Sequence, residues 1–248
     1  MSQSRSEPVS PLVLARIVGI LALVGIVTGA FDIGYVRNTL IVDGNVAETV
    51  HNIMAHETLF RLGFTAHIVL LLCNIPAEII GFLLLKRVNL IVAAVAMGCG
   101  LVGTAIESLD MLNAYVPLKL AIEASAMGAF NSEQLQSLSY LSLQLQDTGL
   151  LISFVFYGLD EMLTGYVVFR SRFFPRVVGI LLGLAGLCYF TDGIVSFISP
   201  SLQTRLLPYL LFPCLPGEGL FALWLAIKGL NVEKWRAWTD KPSILSIQ

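Results

Sequence analysis

Long apolar runs, broken by short polar or proline-containing segments, follow one another along most of the chain. A bilayer core needs about 20 mostly apolar helical residues per crossing, and six runs are long enough to provide them. We therefore predict an all-α polytopic membrane bundle that forms a single domain over residues 1–248. Its six transmembrane helices are predicted at about 15–36, 62–85, 89–112, 141–169, 176–199 and 206–229.

The charged residues between the runs orient the predicted helices. With both termini on one side of the membrane, that side holds eleven lysines and arginines and the other side holds four. Positive charge is enriched in cytoplasmic loops, so we predict that both termini are cytoplasmic. Residues 37–61 and 117–140 then become extracytoplasmic loops. An apolar stripe after Val46 and a capping pattern at Asn131 and Gln134 predict a short surface helix in each loop.

The sixth run is unusual because it contains several prolines and glycines. Pro208, Pro213 and Pro216 lie within it, and Glu218 lies between two glycines. Proline removes a backbone donor and clashes with the preceding turn, so we predict a kinked or broken helix. Broken helices of this kind are common at transporter binding sites, and a packing kink without a functional role is the alternative.

Composition excludes several classes of protein. Hydrophobic residues make up 56% of the chain and charged residues 13%, against about 25% charged residues in ordinary soluble domains. The mean hydropathy is +0.80 and the net charge is −2. A water-soluble globule, a disordered chain and a nucleic-acid-binding protein are therefore excluded. The chain is predicted to be an integral protein of the cell (inner) membrane.

Ionisable residues inside the predicted helices are the main indication of function. A charged group in the hydrocarbon region costs about 2.5–3.5 kcal/mol, so each one is a functional candidate. Depth was counted from the basic inner ends of the helices. The deeper level, roughly 12–15 Å from the inner face, holds Glu78, Asp160, Glu161 and Glu218. The outer level, roughly 24–35 Å from that face, holds His67, Glu107, Asp147 and Asp192.

These eight side chains are predicted to line a polar cavity that opens outward and narrows toward the middle of the membrane. Carboxylates that lie close together cannot all be ionised, so some of them are expected to carry protons. The alternative is structural. In that interpretation Arg37 and Arg61 pair with Asp32 and Asp147, and the other polar groups form a hydrated packing seam.

Metal and nucleophile chemistry have weaker support in the sequence. The three histidines, His51, His56 and His67, do not follow the H-E-x-x-H spacing of helical zinc sites. The chain also has no G-x-S-x-G motif and no phosphate-binding loop. We therefore predict no catalytic residue, no bound metal and no cofactor. An intramembrane hydrolase that uses His67 and an outer carboxylate remains an alternative.

Several short motifs are similar to those of a known family. They are Phe60-Arg61-Leu62-Gly63, Phe156-Tyr157-Gly158-Leu159, Gly165-Tyr166-x-x-Phe169-Arg170, Ser171-Arg172-Phe173-Phe174-Pro175-Arg176, and Gly217-Glu218 ahead of Leu223-Trp224. Together they resemble a widespread bacterial multi-pass family known as domain of unknown function 4386. The resemblance covers about residues 40–230, and the block from Tyr166 to Arg176 is its most specific part.

The resemblance implies a bacterial protein with six helices, and it supplies no substrate. It also implies a departure from the family at three polar positions. Members carry histidine where this chain has Gln146 and Asp160, and an acidic residue where it has His67. The residue types at these positions differ while the positions stay polar. A single conserved kind of metal site would need the same ligand residues, so this variation argues against one.

We predict that the protein binds or transports a small molecule or lipid through the outward-opening cavity. An accessory or sensor subunit of a membrane complex, without catalytic activity, is the first alternative, and the hydrolase is the second. The expected partners are membrane lipids, a small-molecule or lipid ligand, and a membrane-protein partner or a second copy of the chain. No nucleic acid is expected.

Overall fold

In a computed structural model of the protein, the structure describes residues 10–123, 128 and 130–239. Helix α1 (Pro11–Gly29) continues into a π-helical segment (Ala30–Arg37) and a last turn, α2 (Asn38–Leu40). The helices that follow are α3 (Val46–Ala55), α4 (Glu57–Leu85), α5 (Leu90–Glu123), α6 (Ser132–Ser171), α7 (Arg176–Ile198), α8 (Pro200–Ile227) and α9 (Val232–Thr239). The described residues contain no strand, and the all-α prediction is confirmed.

Five of the helical segments are long and apolar enough to cross a membrane. They are Pro11–Leu40, Glu57–Leu85, Leu90–Glu123, Ser132–Ser171 and Arg176–Ile198. A shorter apolar stretch, Pro216–Ile227, forms the last part of α8. The chain is therefore a multi-pass helical membrane protein. A sixth crossing through α8 and cytoplasmic termini stay predictions.

The long helices form a closed ring. Contacts run from α1 to α4, then through α5, α6 and α7 to α8, and α8 returns to α1. Apolar side chains exposed around the ring, such as Val27, Ile91 and Leu112, face outward as expected for lipid contact. Polar side chains inside the ring can therefore hydrogen-bond only to one another, to backbone groups or to water.

Apolar clusters close the two ends of the ring. At one end Val36, Leu40, Ile53 and Leu118 pack together, which joins the π-helical segment and α2 to α3 and the C-terminal part of α5. At the other end a larger cluster brings together α1, α4, α6, α8 and α9 with the connection between α6 and α7, and it includes Ala15, Leu84, Val167, Phe174 and Leu225. Buried polar residues such as His67 and Glu107 lie between the two clusters along their helices.

The segments predicted as outer loops are more helical than expected. The side chain of Asn45 caps α3 by accepting a hydrogen bond from Glu48 N at 3.1 Å. Asn131 and Gln134 form the capping box that the sequence predicted, and α6 starts there. Helix α5 continues through buried Pro117 to Glu123, whereas the sequence placed its end before this proline. Likewise, α8 is uninterrupted across the segment predicted to be kinked or broken.

Glycines let α6 and α7 approach closely. A β-carbon at Gly165 would lie 2.6 Å from the carbonyl oxygen of Gly179, and one at Gly179 would lie 2.7 Å from the carbonyl oxygen of Gly165. The two backbones therefore touch where a side chain would separate them.

Gly165→Leu is expected to push α6 away from α7 and to destabilise the protein by about 3 kcal/mol or more, the upper end of overpacking costs. Thermal unfolding in mild detergent measures this loss. Gly98→Ala is the matched control, because a β-carbon at Gly98 meets nothing within 4 Å. Equal melting temperatures for the two variants would contradict the close helix contact.

Candidate functional site

A buried histidine links two carboxylates in one half of the ring. His67 Nδ1 lies 2.8 Å from Asp32 Oδ2, and His67 Nε2 lies 3.0 Å from Glu107 Oε1. All three residues are buried, and the His67 side chain is only 2% exposed. The π-helical segment supplies Asp32, α4 supplies His67 and α5 supplies Glu107. Three separate elements thus meet at one imidazole ring.

Tyr157 of α6 extends this contact toward the middle of the membrane. Its hydroxyl donates to Glu107 Oε2 at 2.7 Å and lies 3.2 Å from the Thr104 hydroxyl. The Asn74 side chain lies near the same hydroxyl. Tyr157 therefore joins Glu107 to polar groups of α4 and α5 that lie deeper in the bundle.

A carboxyl pair lies next along the same direction. Glu78 of α4 and Asp160 of α6 are in hydrogen-bonding contact. The Thr164 hydroxyl donates to Asp160 Oδ1 at 3.1 Å. Gly100 makes room for the pair, because a β-carbon there would lie 2.6 Å from Glu78 Cδ and 2.9 Å from Asp160 Oδ2.

A second carboxyl pair lies on the other side of α6. Glu161 neighbours Glu218 of α8, and the Tyr189 side chain of α7 lies beside Glu218. Glu161 Oε2 and Glu218 Oε1 are buried side-chain oxygens without a hydrogen-bond partner. Among the described residues, no ion pair joins a lysine, arginine or histidine to any of the four deep carboxylates.

Helical spacing explains why these polar groups align. His67, Asn74 and Glu78 lie at positions i, i+7 and i+11 of α4, which puts them on one face. Thr104 and Glu107 share one face of α5 at positions i and i+3. Tyr157, Asp160 and Thr164 share one face of α6 at positions i, i+3 and i+7. We call these residues together with Asp32 the polar seam. The seam runs between α4, α5 and α6 from the Asp32 end to the level of Glu78.

A narrow cleft leads from the surface to the Asp32 end of the seam. Asp32, Arg37 and Gln146 contribute its polar lining, and its free volume is about 20 Å³. A water molecule needs about 10–15 Å³ in the same measure, so the cleft has room for about one water. Arg37 forms an ion pair with Asp147 of α6, with 2.7 Å between Arg37 Nη2 and Asp147 Oδ1.

Asp147→Asn is expected to cost less than about 1 kcal/mol of stability, the usual limit for an exposed ion pair. The Asp147 side chain is 53% exposed, so water already screens its charge and replaces the lost contact. Chemical unfolding of the purified variant in detergent tests this. A loss above about 2 kcal/mol would mean that the pair is a structural anchor of the cleft.

The structure brings together only some of the residues predicted from the sequence. His67, Glu107, Glu78 and Asp160 belong to the polar seam, and Glu161 and Glu218 form the second pair. Asp147 pairs with Arg37 at the surface, and Asp192 accepts a hydrogen bond from Gln203 at 2.8 Å, apart from the seam. Arg61 pairs with Glu57 and not with Asp32.

Five members of the seam were not predicted from the sequence as site residues. They are Asp32, Asn74, Thr104, Tyr157 and Thr164. Asp32 was considered only in the structural alternative, as the partner of an arginine, and the other four are uncharged residues. The spacing of these four, at three, four or seven residues from His67, Glu78, Glu107 or Asp160, is the signal that would have found them.

The seam is not built like a metal site. Within the described parts of the chain, no three His, Cys, Asp or Glu side chains are grouped so that they could hold a metal ion. Both nitrogens of His67 are already bonded to carboxylates. Neither nitrogen is therefore open to a substrate or a nucleophile in this arrangement.

A ring of long apolar helices around a buried polar seam defines a multi-pass membrane protein. Residues 17–229 match the family model described as "Domain of unknown function (DUF4386)". The chain belongs to this family, as the motifs of its sequence indicated.

A relative from Archaeoglobus fulgidus, described as "Uncharacterized protein", is 32% identical over 83 residues. The match covers 34% of this chain and 48% of the relative, so the chain spans about half the length of the curated relative that it matches. No solved structure matches the chain.

Proposed function

We propose that the protein moves protons along the polar seam and uses them to transport a small molecule or lipid. The observation that carries this proposal is the unbroken contact from Asp32 through His67 and Glu107 to Tyr157. Carboxyl groups, imidazole and phenol all accept and release protons, and chains of such residues are typical of proton relays in membrane proteins.

The dimensions of the seam favour protons as the moving species. The cleft at its outer end has room for about one water molecule, whereas a proton needs no more than hydrogen-bonded neighbours. Beyond Tyr157, Asn74 lies one helical turn from Glu78, roughly 6 Å along the axis. The proposal requires one bridging water at this step, and water-mediated hydrogen bonds are nearly as favourable as direct ones.

Solute transport requires a second conformation with a wider outer cleft. The Arg37–Asp147 ion pair lies at the mouth of the cleft and joins the π-helical segment to α6. Breaking this exposed ion pair costs little free energy. The opened cleft would admit a solute to the Asp32 end of the seam. π-Helical turns frequently mark functional sites, which supports a moving role for Ala30–Arg37.

The hydrolase alternative loses support because His67 has no free nitrogen to act as a general base. An accessory subunit would co-purify with a fixed partner and would tolerate neutral replacements in the seam. A transporter of the inner membrane would not tolerate them.

Proton flux in proteoliposomes tests the proposal. With a pH-sensitive dye inside and an imposed interior-negative potential, wild-type vesicles are expected to acidify faster than protein-free ones. Glu107→Gln removes one protonatable link, and a barrier raised by more than about 1.4 kcal/mol slows the flux at least about tenfold. Glu133→Gln, in the exposed first turn of α6, is the matched control. The proposal fails if wild-type vesicles match protein-free ones or if Glu107→Gln conducts normally.

The same vesicles test solute coupling. Amino acids, sugars, nucleosides and lysophospholipids are added outside, one class at a time, without an imposed potential. A pH change that depends on the solute and is lost in Glu107→Gln assigns the class that is transported.

A further inference from the structure

Three arginines lie where α6 ends and α7 begins, and buried residues between them fix this segment to the bundle. Ser171, Phe173 and Phe174 are buried, and both phenylalanines belong to the large apolar cluster at this end of the ring. The Ser171 hydroxyl donates to Val168 O at 2.7 Å. The residues between and beside these buried anchors are exposed, and they are Arg170, Arg172 and Arg176.

Arg172 has a backbone conformation that disfavours arginine. It ends α6 in the left-handed region, with φ of 61°, where glycine is the usual residue. It is the only non-glycine residue with positive φ among those the structure describes. Arg172 therefore places a guanidinium at a helix end where glycine would cost less backbone strain.

Hydrogen bonds tie two further basic segments to this loop. Asn231 N donates to Phe173 O at 3.2 Å, which joins the start of α9 to the arginine loop. Trp235 Nε1 donates to Leu84 O at 3.1 Å, which joins α9 to the end of α4. We define the basic platform as six of the exposed cations at this end of the ring: Arg87, Arg170, Arg172, Arg176, Lys228 and Lys234.

The three arginines at the α6–α7 connection can bind an anion. Among the described residues, the ion pairs include none of Arg170, Arg172 and Arg176. Helix α7 begins at Arg176 without a side-chain cap, so amides of its first turn face the same loop. Uncapped amides at a helix N-terminus add to the attraction for a phosphate.

We propose that the basic platform binds the phosphate group of an anionic phospholipid. Guanidinium groups are preferred for bidentate phosphate binding, and basic pockets at the ends of membrane helices bind anionic headgroups. The partner is a lipid because the platform borders the apolar surface of the ring. Arg176 lies 5.5 Å from the centre of the partly exposed Phe169 ring, at the boundary between charged and apolar surface.

Thermal unfolding in lipid nanodiscs tests this proposal independently of proton transport. Wild-type protein is expected to melt at a higher temperature in nanodiscs containing phosphatidylglycerol than in phosphatidylcholine alone. Arg172→Gly relieves the backbone strain and removes one guanidinium. It is therefore expected to raise the melting temperature in phosphatidylcholine. It is also expected to lower the phosphatidylglycerol-dependent increase by about a third, as one of three clustered arginines is lost.

Arg205→Gln is the matched control. Arg205 is an exposed residue near the start of α8, outside the platform, and its replacement should keep the full increase in melting temperature. Inorganic phosphate added to phosphatidylcholine nanodiscs separates a lipid from a free anion. The proposal is overturned if phosphate alone reproduces the increase, if wild-type protein melts equally in both lipids, or if Arg172→Gly retains the full increase.

Discussion

His67→Leu is expected to destabilise the protein by about 3–5 kcal/mol, the cost of removing one partner from a buried charged contact. The imidazole lies between Asp32 and Glu107 at 2.8 and 3.0 Å, and the three groups are buried. Without it, two carboxyl groups face a space that leucine fills with apolar atoms. Chemical unfolding in mild detergent measures the loss.

Two further variants make this expectation specific. Adding Asp32→Asn and Glu107→Gln to His67→Leu removes the facing charges and is expected to recover part of the lost stability. His56→Leu is the matched control, because His56 is exposed at the start of α4. A His67→Leu protein as stable as His56→Leu would show that the imidazole does not hold the two carboxylates together.

Much of the fold follows from hydropathy because the bilayer sets the length of an apolar helix. The predicted runs at 15–36 and 62–85 fall inside Pro11–Leu40 and Glu57–Leu85, and the run at 89–112 begins one residue before Leu90–Glu123. Hydropathy does not predict the parts of helices that continue beyond the apolar runs. Helix α5 continues past Pro117, because its end packs against α3 in the apolar cluster that contains Leu118.

The sequence predicts the depth of the deep carboxylates in the bundle. It does not predict which of them contact one another. Counting residues from the basic ends placed Glu78, Asp160, Glu161 and Glu218 at one depth, and the structure places them in two neighbouring pairs. Asp160 and Glu161 are adjacent in sequence and therefore about 100° apart around α6. Asp160 therefore faces Glu78 of α4 and Glu161 faces Glu218 of α8, so both side chains reach across the inside of the ring, whereas the ring neighbours of α6 are α5 and α7.

The π-helical segment had no signal in the hydropathy pattern. In the sequence, Ala30–Arg37 looks like the end of an ordinary apolar helix. Asp32 was considered only in the structural alternative, as the partner of a nearby arginine. In the structure, Asp32 and Arg37 are five residues apart and both line the outer cleft. Asp32 reaches His67 inside the ring, and Arg37 reaches Asp147 at the surface.

Tyr157→Phe is expected to abolish proton movement while the fold survives. The variant removes one oxygen atom, the hydroxyl that donates to Glu107 Oε2 at 2.7 Å and lies 3.2 Å from the Thr104 hydroxyl. Loss of one hydrogen bond to a carboxylate costs about 1.5–3 kcal/mol of stability, less than the loss of His67. The ring stays in place, because its packing against Gly103 is unchanged. Interruption of the seam at this point is expected to lower the flux by at least about tenfold.

The rate of luminal acidification in proteoliposomes containing Tyr157→Phe tests the central claim most directly. Tyr140→Phe is the matched control, since Tyr140 lies on α6 with 45% of its surface exposed and outside the seam. The proposal predicts that wild type and Tyr140→Phe acidify at the same rate, and that Tyr157→Phe falls to the rate of protein-free vesicles. A folded Tyr157→Phe protein that acidifies the lumen as fast as wild type would contradict proton transfer along the polar seam.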